Sequence, residues 1–325
     1  MHIRDGFLTP DVCLGTGLLA VGALAFSVRQ LRNSLADRTV PLTGMTASLI
    51  FAGQMVNFAL PPLPVSGHLL GGVLAAALLG PWAGFIAISL VLFIQLALFY
   101  DGGWTVLGAN IVNMGVVGTW GGYALYTALR NLLGTGKRGT LIASFLASWL
   151  SVLAAATAFC LEFWLSHRGQ PYDFSQVFGW MVFLHCLIGI GEGLITAMVL
   201  SFVLVQRPDL VASRESSTSV LSGVGRFAFA GVIAALGIAS FLAPFASEHA
   251  DGLEAAAERT GFSDLGRVTN VLVLDDYAIP ALKDYPGLST AVAGMIGTLV
   301  VLGVAWGLVA LVKRSRTLSS SAGTK

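Results

Sequence analysis

The residues whose types and order could hold a metal ion stand in two short stretches, Met1-His2-Ile3-Arg4-Asp5-Gly6-Phe7 and Ser66-Gly67-His68-Leu69-Leu70-Gly71-Gly72. A histidine directly after Met1 can offer three nitrogens in a row, the α-amine, its own backbone amide and its imidazole, at five- and six-membered chelate spacing. A second histidine, His68, could complete a square. A flat, all-nitrogen field suits Ni(II) or Cu(II) and, less well, Co(II); it does not suit tetrahedral Zn(II). The same residues also fit a plainer reading, a frayed terminal histidine and a loop histidine. Pro61-Pro62-Leu63-Pro64 predicts a stiff, extended entry to His68, and Gly67, Gly71 and Gly72 let the backbone approach something closely.

Whether the two stretches can meet depends on the elements that carry them. Of 325 residues, 55% are hydrophobic and only 11% charged, far from a soluble domain, and the mean hydropathy is +0.80. The expected fold is all-α, a polytopic membrane protein. Apolar segments long enough to cross a bilayer of about 30 Å fall at 11–28, 42–60, 81–99, 105–129, 139–165, 178–206, 227–246 and 287–312, with a shorter stretch at 69–80 ending in the break signal Gly80-Pro81. With the N-terminus outside and 69–80 crossing as a short span of its own, the clusters Arg29/Arg32/Arg38, Arg130/Lys137/Arg138, Arg207/Arg214/Arg226 and Lys313/Arg314/Arg316/Lys325 all fall on the inner face, 13 of the 18 basic residues. Fusing 69–80 to 81–99 would put the Arg130 and Arg207 clusters outside. The expectation is nine spans, N-out and C-in, in a cytoplasmic membrane, with an uncleaved N-terminus, because residues 1–10 lack the basic start of a signal peptide.

This topology places residues 1–10 and the 61–68 loop on one external face, together with many of the acidic residues, Asp5, Asp101, Asp251 and Glu254 among them. Such a surface concentrates cations, though a solvated exterior would look the same. Four parts are expected: a membrane domain at 1–206, a cytoplasmic linker at 207–226, a two-span module at 227–316 with an external loop at 247–286 carrying a short helix at Gly252–Arg259, and a disordered tail at 317–325.

Ionisable groups inside spans are costly and usually functional. His185 and Glu192 lie two turns apart on one face of the seventh span; they could relay protons, orient a metal site or clamp helices together. Asn110 and Asn113 lie at i, i+3 in a glycine-rich span, where their amides can bond across a helix contact. Cys13, Cys160 and Cys186 form no CxxC and are expected to be packing residues. HExxH, CxxCH and GxSxG motifs are lacking, and Gly134-Thr135-Gly136-Lys137-Arg138 lacks the upstream glycine and the Ser/Thr of a Walker A loop, so the chain is expected to hold no ATP site and not to be an enzyme. With a net charge of +1 and no basic patch interleaved with aromatics, nucleic-acid partners are not expected.

Several stretches together resemble the nickel/cobalt substrate-binding S components of energy-coupling-factor transporters. They are Met1-His2-Ile3 with Asp5-Gly6-Phe7-Leu8, Val65 through Gly72, Leu79-Gly80-Pro81-Trp82, Asp101-Gly102-Gly103-Trp104-Thr105, Leu107-Gly108-Ala109-Asn110 with Asn113-Met114, and His185 through Thr196. Ala250-Asp251-Gly252-Leu253-Glu254 with Gly261-Phe262 is similar to the accessory subunit of that system, whose loop reads Pro-Asp-Gly-Leu-Glu, here fused in one chain. The resemblance implies that Ni2+ or Co2+ is the transported substrate. Its ligands would be the Met1 amine, the amide and imidazole of His2, and the imidazole of His68, with Asp5, Asp101, Asn110, His185 and Glu192 orienting or gating the site. It also implies partners, a transmembrane coupling subunit and an ATPase pair. The Ser-Gly-His-Leu-Leu-Gly-Gly loop is more similar to the nickel branch, and four nitrogens including a deprotonated amide favour Ni(II). Two positions depart from the pattern: Arg4 and Ala250 replace prolines, and Arg4 is expected either to lower the affinity of the cation site or to pair with Asp5. Two further readings remain at this point: a self-contained proton-coupled permease using His185 and Glu192, and a membrane sensor that transports nothing.

Overall fold

The computed structural model describes residues 2–34, 36–211, 223–267, 274 and 277–322. Met1, most of the expected linker (212–222) and the last three residues of the tail lie outside them, and nothing is said of the side chains at 34 and 315–322. The chain runs through helices α1 (Pro10–Ser34), α2 (Thr39–Gln54), a two-residue antiparallel pair β1 (Phe58–Ala59) and β2 (Ser66–Gly67), α3 (Gly72–Leu79), α4 (Pro81–Phe99), α5 (Leu107–Asn110), a π-helical segment (Ile111–Gly121), α6 (Gly122–Leu133), α7 (Lys137–Ser166), α8 (Phe174–Gln206), α9 (Val224–Gly237), α10 (Gly252–Thr260) and α11 (Pro286–Ala322).

Local chemistry sets several of these boundaries. Pro10 and Pro81 open α1 and α4, where a missing N–H costs nothing. Asp173 caps α8 by accepting from the amides of Ser175 and Gln176. Asp251 and Glu254 close a capping box on α10, which ends at Gly261 in the left-handed conformation.

Six helices among the described residues are long and apolar enough to cross a membrane: Pro10–Asn33, Pro81–Phe99, Lys137–Ser166, Phe174–Gln206, Val224–Phe245 and Pro286–Arg314. In α4, 78% of the apolar window is buried against 22% in the α1 window, so α4 is the centre of the bundle and α1 lies on its rim. Leu14, Leu18, Leu19 and Val21 on α1 are largely exposed, an apolar surface that suits lipid. Around α4, Trp149 of α7 donates its indole N–H to the Cys186 carbonyl of α8 at 3.0 Å, and Ser48 of α2 donates to the Thr298 carbonyl of α11 at 3.2 Å.

Three expected spans and the expected tail differ in detail. The helix expected at 42–60 stops at Gln54, and the chain passes into the β1–β2 pair, whose connection holds Pro61-Pro62-Leu63-Pro64. The one expected at 105–129 continues to Leu133 and is π-helical in its middle, where the Thr119 side-chain hydroxyl also donates to the Met114 carbonyl at 3.1 Å. The stretch 69–80 is helical only over α3, eight residues or about 12 Å, less than half a bilayer; α3 folds back along α4 at Gly80, and residues 65–71 before it run as buried non-helical chain. The tail expected to be disordered from 317 continues as helix to Ala322, since extending an existing helix costs far less than nucleating one.

Gly72 is where α3 meets the π-helical segment: a Cβ there would stand 2.8 Å from the backbone carbon and oxygen of Gly118. Gly72→Val should therefore force the two segments apart and cost about 1–3 kcal/mol, read as a lowered Tm in detergent, whereas Gly225→Ala, with nothing within 4 Å, should leave the melt unchanged. Equal melts for the two variants would contradict this packing.

Candidate metal centre

The chain start is fixed by two polar side chains. Asn110 closes on the peptide of Ile3 from both sides, accepting from its N–H at 2.8 Å and donating to its carbonyl at 3.2 Å. The Asp5 carboxylate accepts from the Trp104 amide (3.0 Å), the Thr105 amide (2.8 Å), the Thr105 hydroxyl (2.5 Å) and the Tyr100 hydroxyl (3.3 Å). Hydrogen bonds to a charged group contribute about 1.5–3 kcal/mol each, so His2 and Ile3, both buried, are held against the 100–105 turn and α5. The expected pairing of Arg4 with Asp5 is not made. Asp5 is already saturated by these donors, and Arg4 turns outward to form an ion pair with Glu254 of α10.

The second loop is held by an acid inside the bundle. Glu192 of α8, fully buried, accepts from the amides of Leu70 (2.6 Å) and Gly71 (2.9 Å), while Gln54 of α2 donates to the Leu70 carbonyl at 2.9 Å. These bonds answer the need of buried backbone for partners where no helix supplies them. His68 projects from this loop with Nδ1 directed at the Leu69 carbonyl, 2.9 Å away, and Nε2 3.8 Å from an Asp251 carboxylate oxygen.

The two imidazoles meet. The rings of His2 and His68 stack with centroids 5.0 Å apart and an interplanar angle of 14°. His2 Nδ1 lies 3.0 Å from Asp101 Oδ1, and its Nε2 is buried with no hydrogen-bond partner among the described residues. Burial works to raise the Asp101 carboxyl, but the His2 imidazole beside it more than offsets this and holds it well below the usual carboxylate range. Among the described residues no group of three or more His, Cys, Asp and Glu side chains forms a metal cage. An ion at this place would need nitrogen from the backbone or the chain start beside the two imidazoles.

The remaining site residues divide. Asn110, Asp5, Asp101 and Glu192 all hold or touch the two loops. His185 faces a different neighbour: its Nδ1 lies 2.8 Å from the Met181 carbonyl, and its other edge packs on Gly252, where a Cβ would stand 3.0 Å from His185 Cε1 and 2.6 Å from Ile188 Cδ1. Among the described residues no hydrogen bond joins His185 to Glu192. Asn113 donates to Glu162 of α7 at 2.8 Å; an acid within an otherwise apolar helix was the available signal for Glu162. Asp251 and Tyr277 reach the site from the 247–286 segment; the sequence marked Asp251 as one of the acidic residues on the metal-binding face, whereas Tyr277 carried no local signal and only the fold brings it there.

Fold and site together give a helical bundle, six of whose described helices are long and apolar enough to cross a membrane, that presents a buried pair of imidazoles among carboxylates. The family described as the cobalt uptake substrate-specific transmembrane region, CbiM, matches residues 2–210, and the PDGLE domain matches residues 225–314. The chain belongs to the CbiM family of substrate-specific components of transition-metal uptake systems, with a PDGLE domain fused behind it, and so to the cytoplasmic membrane. It is 35% identical over 95% of its length to a protein of Archaeoglobus fulgidus provisionally named a fused nickel transport protein, NikMN, covering 98% of that protein. It is 29% identical to the fused nickel transport protein NikMN of Rhodobacter capsulatus, over 97% of this chain and all of that one. A crystal structure of a truncated transition metal transporter superposes with a TM-score of 0.56 at 31% identity, covering 63% of this chain and 99% of the other.

Two outcomes follow from the loop anchors. Asp5→Ala removes four bonds from the first loop and should weaken metal retention at least ten-fold, and Glu192→Gln, which can accept only one of two amide hydrogens without presenting its own N–H to the other, should lower the Tm by the equivalent of about 1–3 kcal/mol; chelator competition and thermal melts check them.

Proposed function

We propose that this chain captures Ni2+, in preference to Co2+, on the outer face of the membrane and delivers it inward as the substrate-specific subunit of an ATP-driven energy-coupling-factor transporter. The observation that carries this reading is the stack of His2 on His68, two imidazoles brought from loops 66 residues apart in sequence into one buried place. The ligands are the Met1 amine, the His2 amide, the His2 imidazole and the His68 imidazole. Three of those nitrogens come from consecutive groups of one chain, and a deprotonated amide among four nitrogens favours a square-planar ion, hence nickel over cobalt. The full-length relatives named for nickel transport support the same choice.

The chain crosses the membrane nine times, N-out and C-in. The six long spans are supplemented by α2, by the α5–π–α6 run and by the extended 65–71 loop continued through α3. In support, Lys313 of α11 pairs with Asp37 at 2.9 Å and Arg38 donates to the Asp209 carbonyl, so basic residues from the α1–α2 turn, the end of α8 and the end of α11 gather at the end of the bundle away from His2. Residues 1–206 form the binding component, 207–226 a cytoplasmic linker and 227–316 the accessory module. ATP is hydrolysed on separate subunits joined through a transmembrane coupling subunit.

The test is metal content. Protein with Met1 exposed should retain about one equivalent of nickel, a form with one extra residue before Met1 should retain almost none, and both should melt alike. Equal retention by the two forms would place the ligands elsewhere.

A further inference from the structure

A line of three polar side chains, Gln95, Tyr277 and Asp101, leads to the proposed ligand His2, and its middle member comes from the fused module. Gln95 of α4, fully buried, donates to the Tyr277 hydroxyl at 3.3 Å, and that hydroxyl donates to Asp101 Oδ2 at 2.9 Å. The other oxygen of the same carboxylate stands 3.0 Å from His2 Nδ1. The phenol is firmly placed. Its ring lies flat on Phe99, centroids 4.4 Å apart at 17°, beside Phe51, and Tyr277 adopts a left-handed backbone (φ 55°) to enter there.

The identity of the nitrogen is what matters. Nδ1 is the ring nitrogen that closes a six-membered chelate ring with the backbone amide of the same histidine; Nε2 points away from that amide and cannot. A ring nitrogen 3.0 Å from a carboxylate oxygen carries the hydrogen of that bond, and a nitrogen whose lone pair is so occupied is not a ligand. Asp101 and the metal ion therefore compete for one atom. An Asp101 side chain with a free second oxygen could swing aside at little cost; with Tyr277 bonded to that oxygen it must give up two hydrogen bonds together.

Resting on the capture reading above, we infer that Tyr277 is a positioning residue that weakens metal retention: by pinning Asp101 onto His2 Nδ1 it keeps the chelating nitrogen engaged when no ion is bound, and so favours release. The fused module thus sets how tightly the site holds its ion without supplying a ligand to it. Tyr277→Phe keeps the ring stacked on Phe99 and deletes only the hydroxyl.

The experiment measures nickel affinity by competition with a chromogenic chelator on the full chain with Met1 exposed, for the wild type, Tyr277→Phe, Asp101→Asn and the double variant. Tyr277→Phe should hold nickel about three- to ten-fold more tightly, the scale of one hydrogen bond. The visible absorption of the bound nickel should keep its wild-type position, because the ligand set is unchanged. In the Asp101→Asn background, whichever way that change itself moves the affinity, Tyr277→Phe should add nothing, since its effect passes through the carboxylate. Affinity in Tyr277→Phe that is unchanged or weaker, or a Tyr277→Phe effect that persists undiminished without the carboxylate, overturns the inference alone. A wild-type protein that holds no nickel overturns the capture reading and this inference with it.

Discussion

The structure depends on satisfying buried backbone that no helix or sheet can satisfy. Residues 2–5 and 68–71 enter the bundle as irregular chain, and each stray amide inside it would cost several kcal/mol away from water. Asn110 answers this for the first loop, Glu192 and Gln54 for the second, while Asp5 pins the first loop to the amides of Trp104 and Thr105. Because these anchors rise from different helices, the two loops are placed relative to one another by the bundle and not by their own conformations. The stacked imidazoles are a consequence.

That arrangement explains why a chain with few charged residues keeps carboxylates in and near its core. Glu192 and Asp5 bond mainly backbone amides, and neither contacts an imidazole; they are part of the frame. Asp101 and Asp251 are different. Each stands beside one histidine, close enough to favour a cation nearby and, in the case of Asp101, close enough to compete with it. A site that must let its ion go is better served by donors with alternative partners than by donors waiting unengaged.

The external segment of the fused module is tied to both loops. Ser66 donates its amide to the Ala250 carbonyl and its hydroxyl to the His249 carbonyl, the Arg267 amide donates to the Asp5 carbonyl, and Arg4 pairs with Glu254. The two positions that depart from the family pattern, Arg4 and Ala250, are thus both at this junction. The carbonyl of Ala250 does not depend on its side chain, so the loss of a proline there leaves the Ser66 bond intact. Arg4 gains a partner on α10 that a proline could not have had, and the first loop remains seated because Asp5 and Asn110 hold it independently.

The sequence by itself determined the membrane class, most of the spans and the two histidine stretches, because those signals are local. Apolar run length, the break at Gly80-Pro81 and the position of His2 next to the chain start need no knowledge of distant residues. A special place for Glu192 could also be suspected, since an acid in an apolar helix is costly unless it is satisfied; the structure shows it holding the amides of Leu70 and Gly71. The pairing of Arg4, the separation of His185 from Glu192, the π-helical stretch at Ile111–Gly121 and the approach of Asp251 and Tyr277 to the histidines were decided only by the tertiary structure. Each depends on which of several competing partners arrives first in space: Asp5 is unavailable to Arg4 because the 100–105 turn saturates it, and Tyr277 reaches Asp101 because Phe99 offers its ring a flat surface. Such choices are settled by packing between residues far apart in the chain, which composition and spacing do not encode.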